Sequence, residues 1–361
     1  MQIECMTWYP PFLHAPPAAM PAEDTSPRGH LVKIVLVRTP GGPEALEVCE
    51  APVPVPGPNE VLIRAEAFGV GQPDVLIRKG VYMWMPPLPA NPGNDLAGRI
   101  AGVGAGVSGL AVGQAVLLSA RDLSQRGGCY AEFIAVPADA VHVLPDDVDM
   151  EHAAALANYQ VAYALLHETN GPRTPASVLV IGAAGGVGSA LVQLARVAGM
   201  TVIGTVSSEE KAAFARDMGA DHVIDYRTRS VPRETLALTD GRGVDLVLDH
   251  AGGPALTELL GALANWGTLV TYNALSELPD KDLLSEMRAH VARSPAVRCF
   301  SFHSYDHDRD GRRRLMRAVI DLLAQGAIRP AIGARFELAE VRRAHALIEA
   351  GTVLGKIVMH P

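Results

Sequence analysis

The chain has 361 residues, enough for two domains, and 48 % of them are apolar against 19 % charged, so each domain can bury a core. A net charge of −8 argues against nucleic acid or an anionic membrane surface as a partner. The four cysteines, Cys5, Cys49, Cys129 and Cys299, lie far apart without a C-x-x-C pair. That pattern supports neither a disulfide framework nor a structural zinc lobe, and it fits a reduced cytoplasmic compartment.

Residues 1–30 are proline-rich, show no period, and carry no basic residue before Arg28, so no signal-peptide pattern is present. A disordered or loosely packed extension is expected there. From residue 31 the chain reads as short strands broken by proline and glycine: 31–38, two runs within 46–70 separated at Gly57-Pro58-Asn59-Glu60, then 96–107, 114–118, 130–136 and 141–144. Residues 151–166 have helical composition and open a different texture. Strands at 177–181, 201–206, 222–226, 245–249 and 268–272 alternate with helices, one of them predicted over 255–265. That alternation implies a doubly wound parallel sheet. At the end come a helix at 313–325, a strand at 335–338, a helix at 340–349 and a strand at 356–359. The expected organisation is an extension at 1–30, a β-rich domain from 31–155 with 303–361, and a dinucleotide-type α/β domain at 156–302.

The most informative stretch is 177–226. An apolar strand stops at Gly182-Ala183-Ala184-Gly185-Gly186-Val187-Gly188, and an amphipathic helix predicted from Ser189 runs to Gly199. A strand feeding a glycine turn at a helix start forms an anion site, because free N–H groups and the helix dipole point at a diphosphate. The glycine spacing alone is weak, and the strand-turn-helix-strand context gives it meaning.

Several segments together resemble the medium-chain dehydrogenase/reductase superfamily over residues 31–361: the AAGGVG turn, Gly80-Val81-Tyr82, the G-x-D-x-x-G run from Gly93 to Gly98, Gly-Cys-Tyr-Ala-Glu at 128–132 and Gly355-Lys356-Ile357-Val358. The chain is most similar to the zinc-free quinone oxidoreductases and the trans-2-enoyl thioester reductases. The run from Val270 to Ser276 leans toward the latter. The resemblance implies a doubly wound Rossmann sheet plus a β-rich GroES-like domain completed by the C-terminal tail, and a homodimer. Zinc-dependent members have a cysteine where this chain has Gly71 and a His-Glu pair where it has Asn94-Asp95, so no metal is expected.

NAD enzymes usually end the second strand of this fold on a carboxylate that binds the ribose. Here the strand runs into Ser207 and Ser208. Lys211 resembles the lysine that pairs with the 2′-phosphate of NADPH in quinone reductases, and Tyr226 the tyrosine that packs beside it, so NADPH is the expected cofactor. Glu209 and Glu210 weaken that local positive charge. Expected cofactor contacts are Gly182, Ala184, Gly185, Gly186, Val187, Gly188, Ser207, Lys211, Tyr226, Tyr272, Asn273 and Lys356. Tyr82 aligns with a tyrosine that donates or steers a proton in enoyl reductases, and the alternative reading is that it only lines the pocket. Trp84, Met85, Asn158 and Tyr159 are expected in the substrate pocket. Val161 stands where the family usually has a threonine that binds the cofactor. His250 and His303 read as structural, and Arg312 to Arg314 as a solvated helix face.

The chemistry these residues imply is reduction of a small-molecule α,β-unsaturated carbonyl or quinone by hydride transfer. An enoyl thioester reductase and a non-enzymatic NADPH-binding protein are the alternatives.

Overall fold

The computed structural model describes residues 31–170, 173–272 and 277–361. The chain divides into two compact units: residues up to Ala155 with Ile332–Pro361, and Leu156–Ala331.

The first unit opens with β1 (Leu31–Leu36), β2 (Glu47–Pro52), β3 (Glu60–Val70), α1 (Gln72–Lys79), β4 (Asp95–Val103), β5 (Ala115–Ser119), β6 (Phe133–Pro137), β7 (Val141–Val143) and α2 (Met150–Ala154). Helix α1 has no counterpart in the sequence reading. It is short, with a proline in its first turn and Gly80 at its end in the left-handed region, φ 71°. The helix expected across 151–166 is two helices, because the Ala155 N–H after α2 donates three residues back, to the His152 carbonyl at 3.2 Å, and interrupts the helical ladder. The unit boundary falls there.

The second unit contains α3 (Leu156–His167), β8 (Ser177–Val180), α4 (Gly186–Val197), β9 (Thr201–Val206), α5 (Glu209–Asp217), β10 (His222–Asp225), α6 (Val231–Leu238), β11 (Val244–Asp249), β12 (Leu263–Thr271), α7 (Leu283–Ala289), β13 (Ala296–Cys299) and α8 (Arg309–Ala324). Among the described residues, six strands form one sheet in the order β10-β9-β8-β11-β12-β13, with every pairing parallel. β8 is buried throughout, as expected of a strand covered on both faces. The helix expected at 255–265 is instead a 3-10 run, Pro254–Ala262, leading directly into β12. Pro254 follows Gly253 at φ 76°, and three-residue turns bring Leu256, Leu259 and Leu260 to the core under the sheet.

The last segment corrects the expected return point at 303. Helix α8 buries Leu315, Met316, Val319 and Ile320 and packs against α3, so it stays with the parallel sheet. Its amphipathic stripe requires a partner surface, and α3 supplies one. Arg312, expected on a solvated face, is 5 % exposed and donates to the carbonyl of Tyr305 at 3.0 Å. The chain rejoins the first unit only at β14 (Ile332–Glu337), α9 (Val341–Glu349) and β15 (Lys356–His360). There β15 pairs antiparallel with β3, and the order β14-β15-β3-β4-β5-β7, with β6 against β3, closes the β-rich unit. Its core gathers Val61, Ile63, Phe68, Leu96 and Ile100 from β3 and β4, with Ile357 and Met359 from β15. No helix among the described residues is long and apolar enough to cross a membrane.

Candidate functional site

The glycine turn follows β8 directly. Gly182 sits at φ 71°, a conformation that costs other residues free energy. Its N–H donates to the Thr205 hydroxyl at 3.1 Å, and the next N–H donates to the Thr205 carbonyl at 3.0 Å, which ties the turn to β9. Gly188 is required by packing, since a Cβ there would lie 2.1 Å from the carbonyl oxygen of Gly182. Gly185, the N-cap of α4, differs: it is exposed, its φ is −79°, and a Cβ would find its nearest neighbour at 3.6 Å. The turn is therefore closed on its helix side and open at Gly185. Gly186, Val187 and Gly188 form the first turn of α4, whose N–H groups lack intrahelical partners by construction. Ala184 is buried beneath it. The helix begins at Gly186, three residues before the expected Ser189.

Pairing of β9 with β10 sets Asp225 beside Val206, so Ser207 and Tyr226 leave adjacent strand ends. The Tyr226 N–H donates to the Val206 carbonyl at 3.1 Å, and its side chain is 51 % exposed. Ser208 caps α5, its hydroxyl accepting from the Lys211 N–H at 3.2 Å, which places Lys211 in the first turn beside Ser207. Glu209 is ion-paired with Arg216 at 3.0 Å, which offsets a little of the negative charge at this corner. Tyr272 follows β12 and donates its N–H to the Asp249 carbonyl at 3.0 Å. Burial holds its phenol protonated, far above the ordinary range. Asn273 lies outside the described residues.

His250, which reads as structural from sequence, lies against the glycine turn. Its ring lies across Gly182, and its Nδ1 is 3.0 Å from the Ile181 carbonyl. In α3, Asn158 is half-buried, whereas Tyr159 is 2 % exposed and its hydroxyl has no hydrogen-bond partner among the described residues. Neighbouring helical positions point to different faces, so the expected Asn-Tyr pair does not act as one surface.

In the first unit, Tyr82 stands two residues beyond Gly80, half-buried, with its ring 5.8 Å from that of Trp84. Met85 is half-buried beside it in sequence, and Trp84 is 38 % exposed. Arg126 hydrogen-bonds the Tyr82 hydroxyl. The same guanidinium donates to the carbonyls of Ala120 and Arg121, each at 3.3 Å, so backbone fixes its position. Burial raises the Tyr82 pKa above that of a free phenol, and the Arg121 and Arg126 cations oppose part of that rise.

Comparison with known proteins decides the family. The alcohol dehydrogenase GroES-like domain matches residues 57–146, and the zinc-binding dehydrogenase family matches 218–359. The quinone oxidoreductase of Pseudomonas aeruginosa is 35 % identical over 89 % of this chain and 97 % of its own length. This chain belongs to the medium-chain dehydrogenase/reductase superfamily, in its quinone oxidoreductase group. The 2-haloacrylate reductase of a Burkholderia species is 31 % identical over 92 % of the chain and 99 % of its own. The Escherichia coli quinone oxidoreductase, solved as a complex with NADPH, superposes with a TM-score of 0.79 at 28 % identity, covering 91 % of this chain and all of that one.

Within this superfamily, the positions of the zinc ligands carry a different network here. Asp74, fully buried, accepts from the Gly71 N–H at 2.7 Å, the Gly93 N–H at 3.1 Å, the Asn94 amide at 2.6 Å and the Tyr130 hydroxyl at 3.3 Å. Gly71 and Asn94, where zinc-dependent members hold ligands, serve this carboxylate as donors. Burial first, then Asp95, pushes the Asp74 pKa up to about 6. Among the described residues no cluster of three or more His, Cys, Asp or Glu is placed to hold a metal.

Asp74→Asn should cost about 2 kcal/mol despite its similar shape, because the new amide faces a donor. Tyr130 can turn its hydroxyl to accept, but the Gly71 N–H cannot. Urea midpoints at pH 7 read the effect, and an unchanged midpoint would show that the cap is dispensable.

Lys356, expected among the cofactor contacts, has a carboxylate neighbour inside the first unit. It is 5 % exposed, and its ammonium lies 3.4 Å from Asp95 inside the first unit. A buried ammonium needs a carboxylate partner, and Asp95 supplies it.

Proposed function

We propose that this protein is an NADPH-dependent reductase of α,β-unsaturated carbonyls or quinones that works without a metal. The observation that carries the reading is the glycine turn: closed at Gly188, tied to Thr205, and open at Gly185 over the start of α4. That cradle fits a diphosphate. When bound there, the cofactor supplies a hydride. At the adenosine end, β9 ends without a carboxylate, and Ser207, Lys211 and Tyr226 gather beside it, which suits a 2′-phosphate rather than bare ribose hydroxyls.

The protein's part in the chemistry is orientation and proton supply. The Tyr82 phenol, kept protonated by burial and held by Arg126, donates a hydrogen bond to the oxygen that gains charge when hydride reaches the β-carbon. Trp84 and Met85 form an apolar rim beside it. The names of the relatives support both a quinone and an activated C=C as acceptor. A cytoplasmic homodimer completes the proposal.

The test is NADPH oxidation followed at 340 nm against quinones, enones, acrylates and enoyl-CoAs, repeated with NADH. Turnover of quinone or enone with NADPH preferred is expected. Turnover of enoyl-CoA alone would move the substrate to thioesters, and binding without any turnover would leave a non-enzymatic NADPH-binding protein.

A further inference from the structure

In a chain whose net charge is −8, the two charges that act most strongly on the Tyr82 phenol are cations, Arg121 and Arg126. Both residues are half-buried, and the backbone holds them in place. β5 ends at Ser119 and passes into a single 3-10 turn, Ala120–Asp122, whose first N–H donates to the Asn94 carbonyl at 2.7 Å. The chain then folds back, so that the Arg126 guanidinium donates to the carbonyls of Ala120 and Arg121. Gly127 follows at φ 83°, where a Cβ would lie 2.4 Å from the Asn91 carbonyl oxygen. The Gly128 N–H donates to that same oxygen at 2.7 Å, which pins the far side of the loop.

The acids of this region face other groups. Asp74 is fully buried among four donors, from Gly71, Gly93, Asn94 and Tyr130. Asp122, next to Arg121 in the chain, lies 2.8 Å from His142 with 1 % of its side chain exposed. A guanidinium can only donate, so the Tyr82 oxygen accepts from Arg126 and keeps its own O–H for another partner.

We propose that the preferred acceptor is an α,β-unsaturated oxo acid, whose carboxylate is bound by Arg121 and Arg126 while its carbonyl oxygen takes the Tyr82 O–H. This rests on the reading of Tyr82 as the residue that serves the acceptor. Guanidinium groups match a carboxylate with paired, parallel N–H donors. Half-burial removes water from around them and strengthens their pull on an anion. A neutral quinone brings them no counter-charge. The phosphates of a CoA thioester lie a pantetheine arm away from its carbonyl, out of reach of groups set beside one phenol. A short oxo acid carries both functions on one carbon frame, and Trp84, its ring 5.8 Å from that of Tyr82, gives the frame an apolar wall. In the reaction the β-carbon receives hydride from NADPH, the C=C electron pair shifts toward the carbonyl oxygen, and a proton is added at the α-carbon. The double bond is reduced, NADPH is oxidised, and the carboxylate is unchanged.

The experiment compares trans-4-oxo-2-pentenoate with its methyl ester as acceptors for the full chain and NADPH. The ester is the more electrophilic of the pair, so a preference for the acid has to come from binding. The parent should favour the acid in kcat/KM by about tenfold or more, the worth of one charge-assisted hydrogen bond. In Arg121→Gln the two acceptors should fall within about twofold of each other, with the change mainly in KM for the acid. The saturated acid, 4-oxopentanoate, should compete with the acceptor in the parent, and its methyl ester should not, a measurement that needs no variant. A parent indifferent to the charge or favouring the ester, no competition by the saturated acid, or an unchanged preference in Arg121→Gln would each overturn the carboxylate subsite. Reduction of quinones with neither pentenoate turned over would overturn the substrate class and leave the reductase standing. No turnover of any acceptor would overturn the reductase reading itself, and this subsite with it.

Discussion

Gly185→Asp is expected to abolish NADPH binding while leaving the protein folded. The backbone at 185 has φ −79° and ψ 175°, which any residue adopts, and a Cβ would meet nothing closer than 3.6 Å. Aspartate is also a favourable helix N-cap, so the melting temperature should hold or rise. The same carboxylate occupies the mouth of the cradle where a dianionic diphosphate must sit. Like charges about 4 Å apart at an effective dielectric near 20 repel by about 4 kcal/mol, roughly a thousandfold in affinity. Gly188→Ala is the contrasting variant. Its methyl would lie 2.1 Å from the Gly182 carbonyl, a backbone atom that cannot move aside cheaply, so stability and binding should fall together. Cofactor fluorescence titration and a thermal melt on both variants separate the two effects. A Gly185→Asp protein that titrates like its parent would remove the diphosphate from this turn.

The glycine run was legible because its requirements are local: a left-handed residue at 182, a close approach at 188, and a strand and helix on either side. What stayed hidden depends on partners distant in the chain. The amphipathic stripe of α8 is plain in sequence, but nothing in its period says that α3 rather than the β-rich unit receives it, so sequence alone puts the return point near 303 and the fold puts it at Ile332. The alanine-rich run through 151–166 gives no sign of the break at Ala155, because alanine is equally at home on both sides of it. Lys356 sits in a motif that reads as cofactor-related, and its ion pair with Asp95 joins residues 261 positions apart. His250 illustrates the same limit at the glycine turn. A histidine after a strand means little until the strand order places that strand beside β8.

Tyr82→Phe is the second large effect, and it falls on turnover. The phenylalanine ring keeps the packing against Trp84, so the fold of the loop should survive. What is lost is one O–H donor held by Arg126. Removing a positioned proton donor typically slows a reaction by about a hundredfold or more, so kcat should fall by roughly that factor. The dissociation constant for NADPH should stay put, because the groups expected to hold its phosphates belong to the other unit. The pH dependence supplies an internal check. Burial raises this phenol above its ordinary value of about 10, and activity that needs the protonated form is lost only as pH rises through that raised value. Tyr82 therefore contributes no titration between about pH 6 and 9, and a loss of rate that belongs to it falls only above that window. If Tyr82→Phe turned over at the parental rate, the proton would have to come from solvent, and the arginines around Tyr82 would be left with a structural task alone.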